Sequence, residues 1–228
     1  NLDDFKKLRV NLEGYPLTVF LDYRFHLRYM SQFNESKLKQ YSVQHNNPSL
    51  TRTLKHHWLS WMAKNQQWEN FLVHAEGEKL NTELACHRAT TLYRTQEEDQ
   101  AFDLASSLWL APKSLPPACD AILHLLVKEQ HITESMGWQR FNLAFAAKNI
   151  SLANYLVRFL NPENTPLAET LLQQYREPRK IIKDWHRLPD ATQAEALKAY
   201  DKTKLILLKR LVRSDINNAS KCIRTVNS

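Results

Sequence analysis

The chain has 228 residues, 43% of them hydrophobic and 24% charged, with a formal net charge of +7 and only three glycines. That length and balance describe an ordinary globular chain with enough apolar mass for a core. So few glycines exclude folds that depend on them: β-sandwiches with primed hairpin turns, dinucleotide-binding folds and phosphate-cradling loops.

No apolar run reaches the roughly 18–20 residues of a membrane span. The opening Asn1-Leu-Asp-Asp has neither the basic start nor the apolar stretch of a signal peptide. Apolar residues instead recur at helical spacing along the chain. Leu50, Leu54, Trp58, Trp61 and Met62 form one stripe, and Ala101, Leu104, Ala105 and Leu108 the next. Ala118, Ala121, Ile122, Leu125 and Leu126 follow, then Leu152, Tyr155, Leu156, Phe159 and Leu160. Pro16, Pro48, Pro116-Pro117, Pro162, Pro178 and Pro189 fall between stripes, where helices begin or end. Asn161-Pro162 and Asp190-Ala-Thr-Gln193 read as helix starts, with Asn161 and Asp190 as N-caps. No segment alternates strictly, so no strand is predicted.

Two segments share letters. Residues 63–73 read Ala-Lys-Asn-Gln-Gln-Trp-Glu-Asn-Phe-Leu-Val, and residues 147–157 read Ala-Lys-Asn-Ile-Ser-Leu-Ala-Asn-Tyr-Leu-Val. Each looks like a helix end, a turn at Asn and a returning amphipathic helix. A pair of that kind cannot bury its apolar face alone and stacks on its neighbours. The expected fold is therefore all-α: a right-handed superhelix (α-solenoid) of antiparallel helix pairs, about a dozen helices, similar in kind to tetratricopeptide arrays.

The charge is uneven. Residues 1–175 hold 18 Lys+Arg against 18 Asp+Glu, whereas 176–228 hold 13 against 6. Such a basic third suits an anionic polymer, an acidic neighbouring domain, or simply solvated helix faces.

Candidate chemistry is sparse. Cys86 and Cys119 have 32 residues between them. They read either as a disulfide between adjacent helix pairs, worth up to about 4 kcal/mol in loop-closure entropy, or as two buried thiols in a reducing compartment. Cys222 is left over. Cys86, His87, Cys119 and His124 are zinc-ligand types, but helix neighbours point about 100° apart, so no metal site is expected there or at His56-His57. Glu97-Glu98-Asp99 suits the positive end of a helix. Trp58, Trp61, Trp68, Trp109, Trp138 and Trp185 read as packing residues. No nucleophile, phosphate-loop or cofactor motif is present.

Several segments together resemble the N-terminal superhelical domain of the soluble lytic murein transglycosylases. They are Gly14-Tyr-Pro-Leu-Thr-Val-Phe-Leu-Asp-Tyr-Arg24, Asn47-Pro-Ser-Leu with Trp58 to Leu72, Thr82-Glu-Leu-Ala-Cys86, Leu108-Trp-Leu-Ala-Pro-Lys-Ser114 and Ala118-Cys-Asp120. The resemblance implies export to the periplasm, which favours a disulfide between Cys86 and Cys119. It implies a parent enzyme that cleaves the MurNAc–GlcNAc bond of peptidoglycan to 1,6-anhydromuropeptides, one glutamate acting as acid and then base. That glutamate belongs to a Glu-Ser motif in a separate lysozyme-like domain. Glu134-Ser135-Met136 carries those letters without the glycine-rich motifs that follow in that domain, so Glu134 reads as a helix-start residue. The expectation for residues 1–228 is thus one helix-array domain, a monomer without catalytic residues or cofactor. Its partners would be glycan strands, reached through the parent enzyme, and the C-terminal domains, with no nucleic acid. A cytosolic protein-binding or RNA-binding helical repeat is the alternative.

Overall fold

The structure is a computed structural model that describes residues 5, 7, 9–12, 14–184, 194–217 and 219–220, with the side chains of all of these except 183–184 and 194–202. The regular elements among the described residues are all helical. In chain order they are α1 (Thr18–Arg28), α2 (Glu35–His45), α3 (Pro48–Lys64), α4 (Trp68–Ala75), α5 (Thr82–Arg94), α6 (Glu98–Trp109), α7 (Asp120–Lys128), α8 (Glu134–Ala146), α9 (Ile150–Leu156), α10 (Thr165–Arg176), α11 (Ile181–Asp184) and α12 (Ala194–Ser214). Short 3-10 turns precede α2, α7, α10 and α11. Among the described residues, no helix is long and apolar enough to cross a membrane.

Four helices end in the same way. Gln66, Gln96, Gln130 and Lys148 are left-handed, with φ of 59°, 67°, 57° and 61°. In each case the next residue donates its N–H back across six residues: Gln67 to Met62 O at 3.0 Å, Glu97 to Leu92 O at 2.9 Å, His131 to Leu126 O at 3.0 Å and Asn149 to Ala144 O at 2.8 Å. The left-handed residues themselves donate to Ala63, Tyr93, Val127 and Phe145. This is the Schellman arrangement, which satisfies carbonyls orphaned at a helix end. The next helix begins almost at once. Gln67 is the N-cap of α4 and Asn149 the N-cap of α9, so one left-handed residue separates a helix cap from the start of its successor. The letter repeat is out of register with this geometry. Lys148 corresponds to Gln66, not to Lys64.

Helix starts depend on asparagine. Asn34, Asn47, Asn81 and Asn149 each accept a hydrogen bond from the backbone N–H three residues on, as Thr133 does at α8. Pro48 opens α3, where a missing N–H costs nothing. Asn161 is not the cap expected for it: α10 begins at Thr165 with Asn164 in the cap position and Pro166 in its first turn. Asn161 and Pro162 lie in the preceding turn because the side chain of Asn161 is engaged elsewhere, as described below. Pro189, Asp190 and Trp185 lie outside the described residues.

The chain divides into two compact units, Asn1–Ala101 and Phe102–Ser228. In the first, α3 is the central rod. Leu54, Trp58, Leu59 and Met62 are buried with Tyr41, Phe71 and Leu84 around them, and Phe33 meets Trp58 edge-on at 5.6 Å. Arg9 grips Asp22 through both carboxylate oxygens, at 2.7 and 2.8 Å, and His45 reaches the same carboxylate at 2.9 Å. In the second unit α8 has that place, burying Trp138, Phe141, Ala144 and Phe145. Leu152, Leu156, Leu171, Leu172, Leu207 and Leu211 are buried in the same unit. Ala121 and Tyr155, expected on apolar stripes, are exposed instead.

A left-handed residue with a Cβ is strained by about 1–2 kcal/mol relative to glycine, less the entropy glycine loses on folding. Gln96→Gly should therefore stabilise the chain by up to about 1 kcal/mol and raise the thermal midpoint by about 2–4 °C, read by circular dichroism. An unchanged or lower midpoint would mean that the turn carries no strain.

Candidate functional site

Within the second unit a cleft of about 990 Å³ opens between the end of α6, the face of α7 and the start of α9. Its floor is Arg140, from the middle of α8. Arg140 follows Gly137 by three residues and precedes Ala144 by four, so it projects from the buried face of its helix. It is only 4% exposed. Its guanidinium lies over the Trp109 ring, 4.2 Å from the centroid. The edge of that ring plane meets Phe159, with centroids 4.8 Å apart at 82°. At the rim, Arg158 lies over the exposed ring of Tyr155 at 5.1 Å. Asp120 and His124 of α7, with Ser114, Asn149 and Ser151, complete the polar lining.

Two donors in this wall have no acceptor among the described residues: Arg140 Nε and Trp109 Nε1, both buried. Burial pulls the Arg140 pKa below that of a free arginine, with the nearby Tyr155 hydroxyl acting the other way. The group stays charged, as arginine does throughout the accessible range. An uncompensated buried cation costs several kcal/mol. Stacking on tryptophan returns about 0.5–2 kcal/mol of that. The sequence holds a clue to this residue that passes unread: a lone arginine inside the apolar period Trp138, Phe141, Ala144, Phe145.

The residues singled out from sequence are dispersed. Cys86 on α5 and Cys119 before α7 are each fully buried and disulfide-bonded, so neither offers a thiolate to a metal. Cys222 lies outside the described residues. His87 is half-buried, and burial lowers its pKa against the opposing pull of Glu83, whose Oε1 is 3.9 Å from Nε2. His124 is exposed on the cleft rim, and His56 and His57 are consecutive on α3. Among the described residues no three His, Cys, Asp or Glu side chains converge as a metal-ligand set. Glu98 and Asp99 occupy the first turn of α6.

Glu134 is the first residue of α8, and its carboxylate is fully engaged. Oε1 accepts from the Asn161 backbone N–H at 3.2 Å and from Asn164 Nδ2 at 2.9 Å, and Oε2 accepts from Asn161 Nδ2. The glutamate thus ties the start of α8 to the turn that launches α10. Gly137, one helical turn on, lets that turn approach: a Cβ there would lie 2.8 Å from the Phe159 carbonyl oxygen.

No protein-family model matches the sequence. Soluble lytic murein transglycosylase of Escherichia coli K12 is 23% identical over 188 residues, 79% of this chain and 28% of that protein. The 70-kDa soluble lytic transglycosylase of Escherichia coli matches in structure with a TM-score of 0.77 at 19% identity, over 98% of this chain and 35% of that one. An inactive mutant of a lytic transglycosylase from Pseudomonas aeruginosa matches with a TM-score of 0.73 at 23% identity, over 99% and 36%. The chain is homologous to the soluble lytic murein transglycosylases. It spans under a third of the curated relative's length and about a third of the solved chains.

In this transglycosylase-like chain the letters Glu134-Ser135 therefore mark a helix-to-turn clamp. Glu134→Ala removes the acceptor of three hydrogen bonds and should cost about 1–3 kcal/mol. Gly137→Ala should cost a similar amount through overpacking against backbone. Urea unfolding measures both, and a loss under about 0.5 kcal/mol for Glu134→Ala would sink the clamp.

Proposed function

We propose that this chain is the non-catalytic helical scaffold of a periplasmic lytic transglycosylase, an enzyme that cleaves the MurNAc–GlcNAc bond of peptidoglycan to 1,6-anhydromuropeptides. The observation that carries this reading is the match in fold along 98% of the chain to a lytic transglycosylase some three times as long, together with sequence identity over 188 residues. The engagement of Glu134 supports it from the other side. A general acid in glycoside cleavage needs an open carboxyl beside the leaving oxygen, and this carboxylate is filled by two asparagines. The chemistry then belongs to residues outside this sequence, and the helical array shapes how glycan strands approach them.

A periplasmic location fits the two disulfide-bonded cysteines, since disulfides persist in oxidising compartments. We assign the bridge to Cys86 with Cys119, closing a loop that constrains the unfolded chain by up to about 4 kcal/mol. Incubated with murein sacculi, the chain should release no anhydromuropeptides by chromatography and mass spectrometry. Alkylation of the native protein should add one label, at Cys222, and three after reduction. Any turnover refutes the scaffold reading, and three labels on the native chain refute the bridge.

A further inference from the structure

The cleft over Arg140 exposes a lining in which a cationic side chain keeps an unpaired donor. The Arg140 side chain is 4% exposed and its buried Nε has no hydrogen-bond acceptor among the described residues, a desolvation cost that an anion in the cleft would offset. Asp120, on the same lining, is beyond ion-pair distance and does not act on the arginine. The Trp109 ring lies 4.2 Å from the guanidinium carbon and Arg140 lines the cleft, so a ligand there would meet the guanidinium's N–H edge. Such an edge matches a carboxylate, two oxygens to two N–H groups, at a strength well above that of a neutral hydrogen bond.

The rest of the cleft narrows the ligand. Its volume is that of a site for a small molecule or short peptide and far exceeds a single ion. Leu115, Leu123 and Val127 give it an apolar side, whereas Asp120 offers an acceptor for an amine or amide. Binding of a phosphate polymer relies on many exposed cations tracking the backbone. This lining has one buried arginine, one at the rim and a carboxylate opposing them. A short acidic peptide, carboxylates alternating with small apolar groups, fits better.

We propose that the cleft binds the peptide stem of peptidoglycan, with a stem carboxylate on Arg140 and a second, weaker anchor at Arg158. The choice of peptidoglycan as the bearer of that peptide rests on the scaffold reading above. The array then holds the strand by its peptides while cleavage happens elsewhere.

Calorimetric titration of the 228-residue chain tests this with three probes: a disaccharide-tetrapeptide from digested murein, the same fragment with its carboxyls methyl-esterified, and a peptide-free GlcNAc tetramer. The first should bind. Esterification and Arg140→Gln should each weaken binding at least about tenfold, Arg158→Gln by less, and the tetramer should not compete. The esterified probe uses the unaltered protein, so it decides the matter even if Arg140→Gln does not fold. Absence of binding, competition by the tetramer, or a folded Arg140→Gln that binds as the parent does would overturn the proposal. These failures leave the scaffold reading standing, whereas turnover of sacculi would remove that reading and leave peptide binding at Arg140 intact.

Discussion

A helix that is apolar on one side has to meet a partner, and in this chain the partner is usually its own successor. The reversal is made by a backbone bond that reaches across six residues, from the N–H after a left-handed residue to a carbonyl in the last helical turn. It recurs after α3, α5, α7 and α8. Because the residue that closes the turn can also cap the next helix, as Gln67 and Asn149 do, very little chain is spent on the connection. The carbonyls that receive these bonds belong to Met62, Leu92, Leu126 and Ala144, all buried, so the turn and the core are set by the same positions.

The two units follow from that constraint. Short reversals place α4 against α3 and α9 against α8, and the long central helices α3 and α8 collect the aromatic side chains of their units. In the longer connection before α10, side chains replace the backbone device. The turn before α10 has no left-handed closing residue and is held instead by the carboxylate of Glu134. Its close approach to α8 is possible because Gly137 has no side chain. Glycine is scarce in this chain, and here it has a packing reason that no helix propensity would supply.

Much of this was legible in the sequence, and the failures have physical causes. Leu54, Trp58, Met62, Ile122, Leu126, Leu152 and Leu156 are buried, as their spacing requires. Tyr155 has that spacing but is exposed, because a phenol can line a wet cleft as well as a core. The helix ends were harder to see. Reading turns from glycine misses Gln66, Gln96, Gln130 and Lys148, where hydrogen bonds and buried neighbours hold a glutamine or lysine in a conformation it does not prefer. The letter repeat at 63–73 and 147–157 is out by two positions for the same reason: geometry repeats at the left-handed residue, and that residue is not the one whose letters match. Asn161 looked like a cap because asparagine before proline usually is one, whereas the cap position belongs to Asn164.

The cleft was invisible to motif reading because no motif encodes a residue's lack of a partner. Glu134 and Arg140 make the contrast. They stand six residues apart on one helix, and both carry charge where α8 meets its neighbours. Every oxygen of the glutamate is used by the turn it supports, so the charge is explained by the fold and nothing further follows from its catalytic-looking letters. The arginine is more deeply buried, yet among the described residues it stacks on an indole and its Nε has no acceptor. Burial alone does not separate a structural polar group from a functional one, since both cost desolvation. What separates them is whether the fold itself returns that cost. It does so for Glu134 and does not for Arg140, and so the place to look for a ligand on this helix is the residue without a motif.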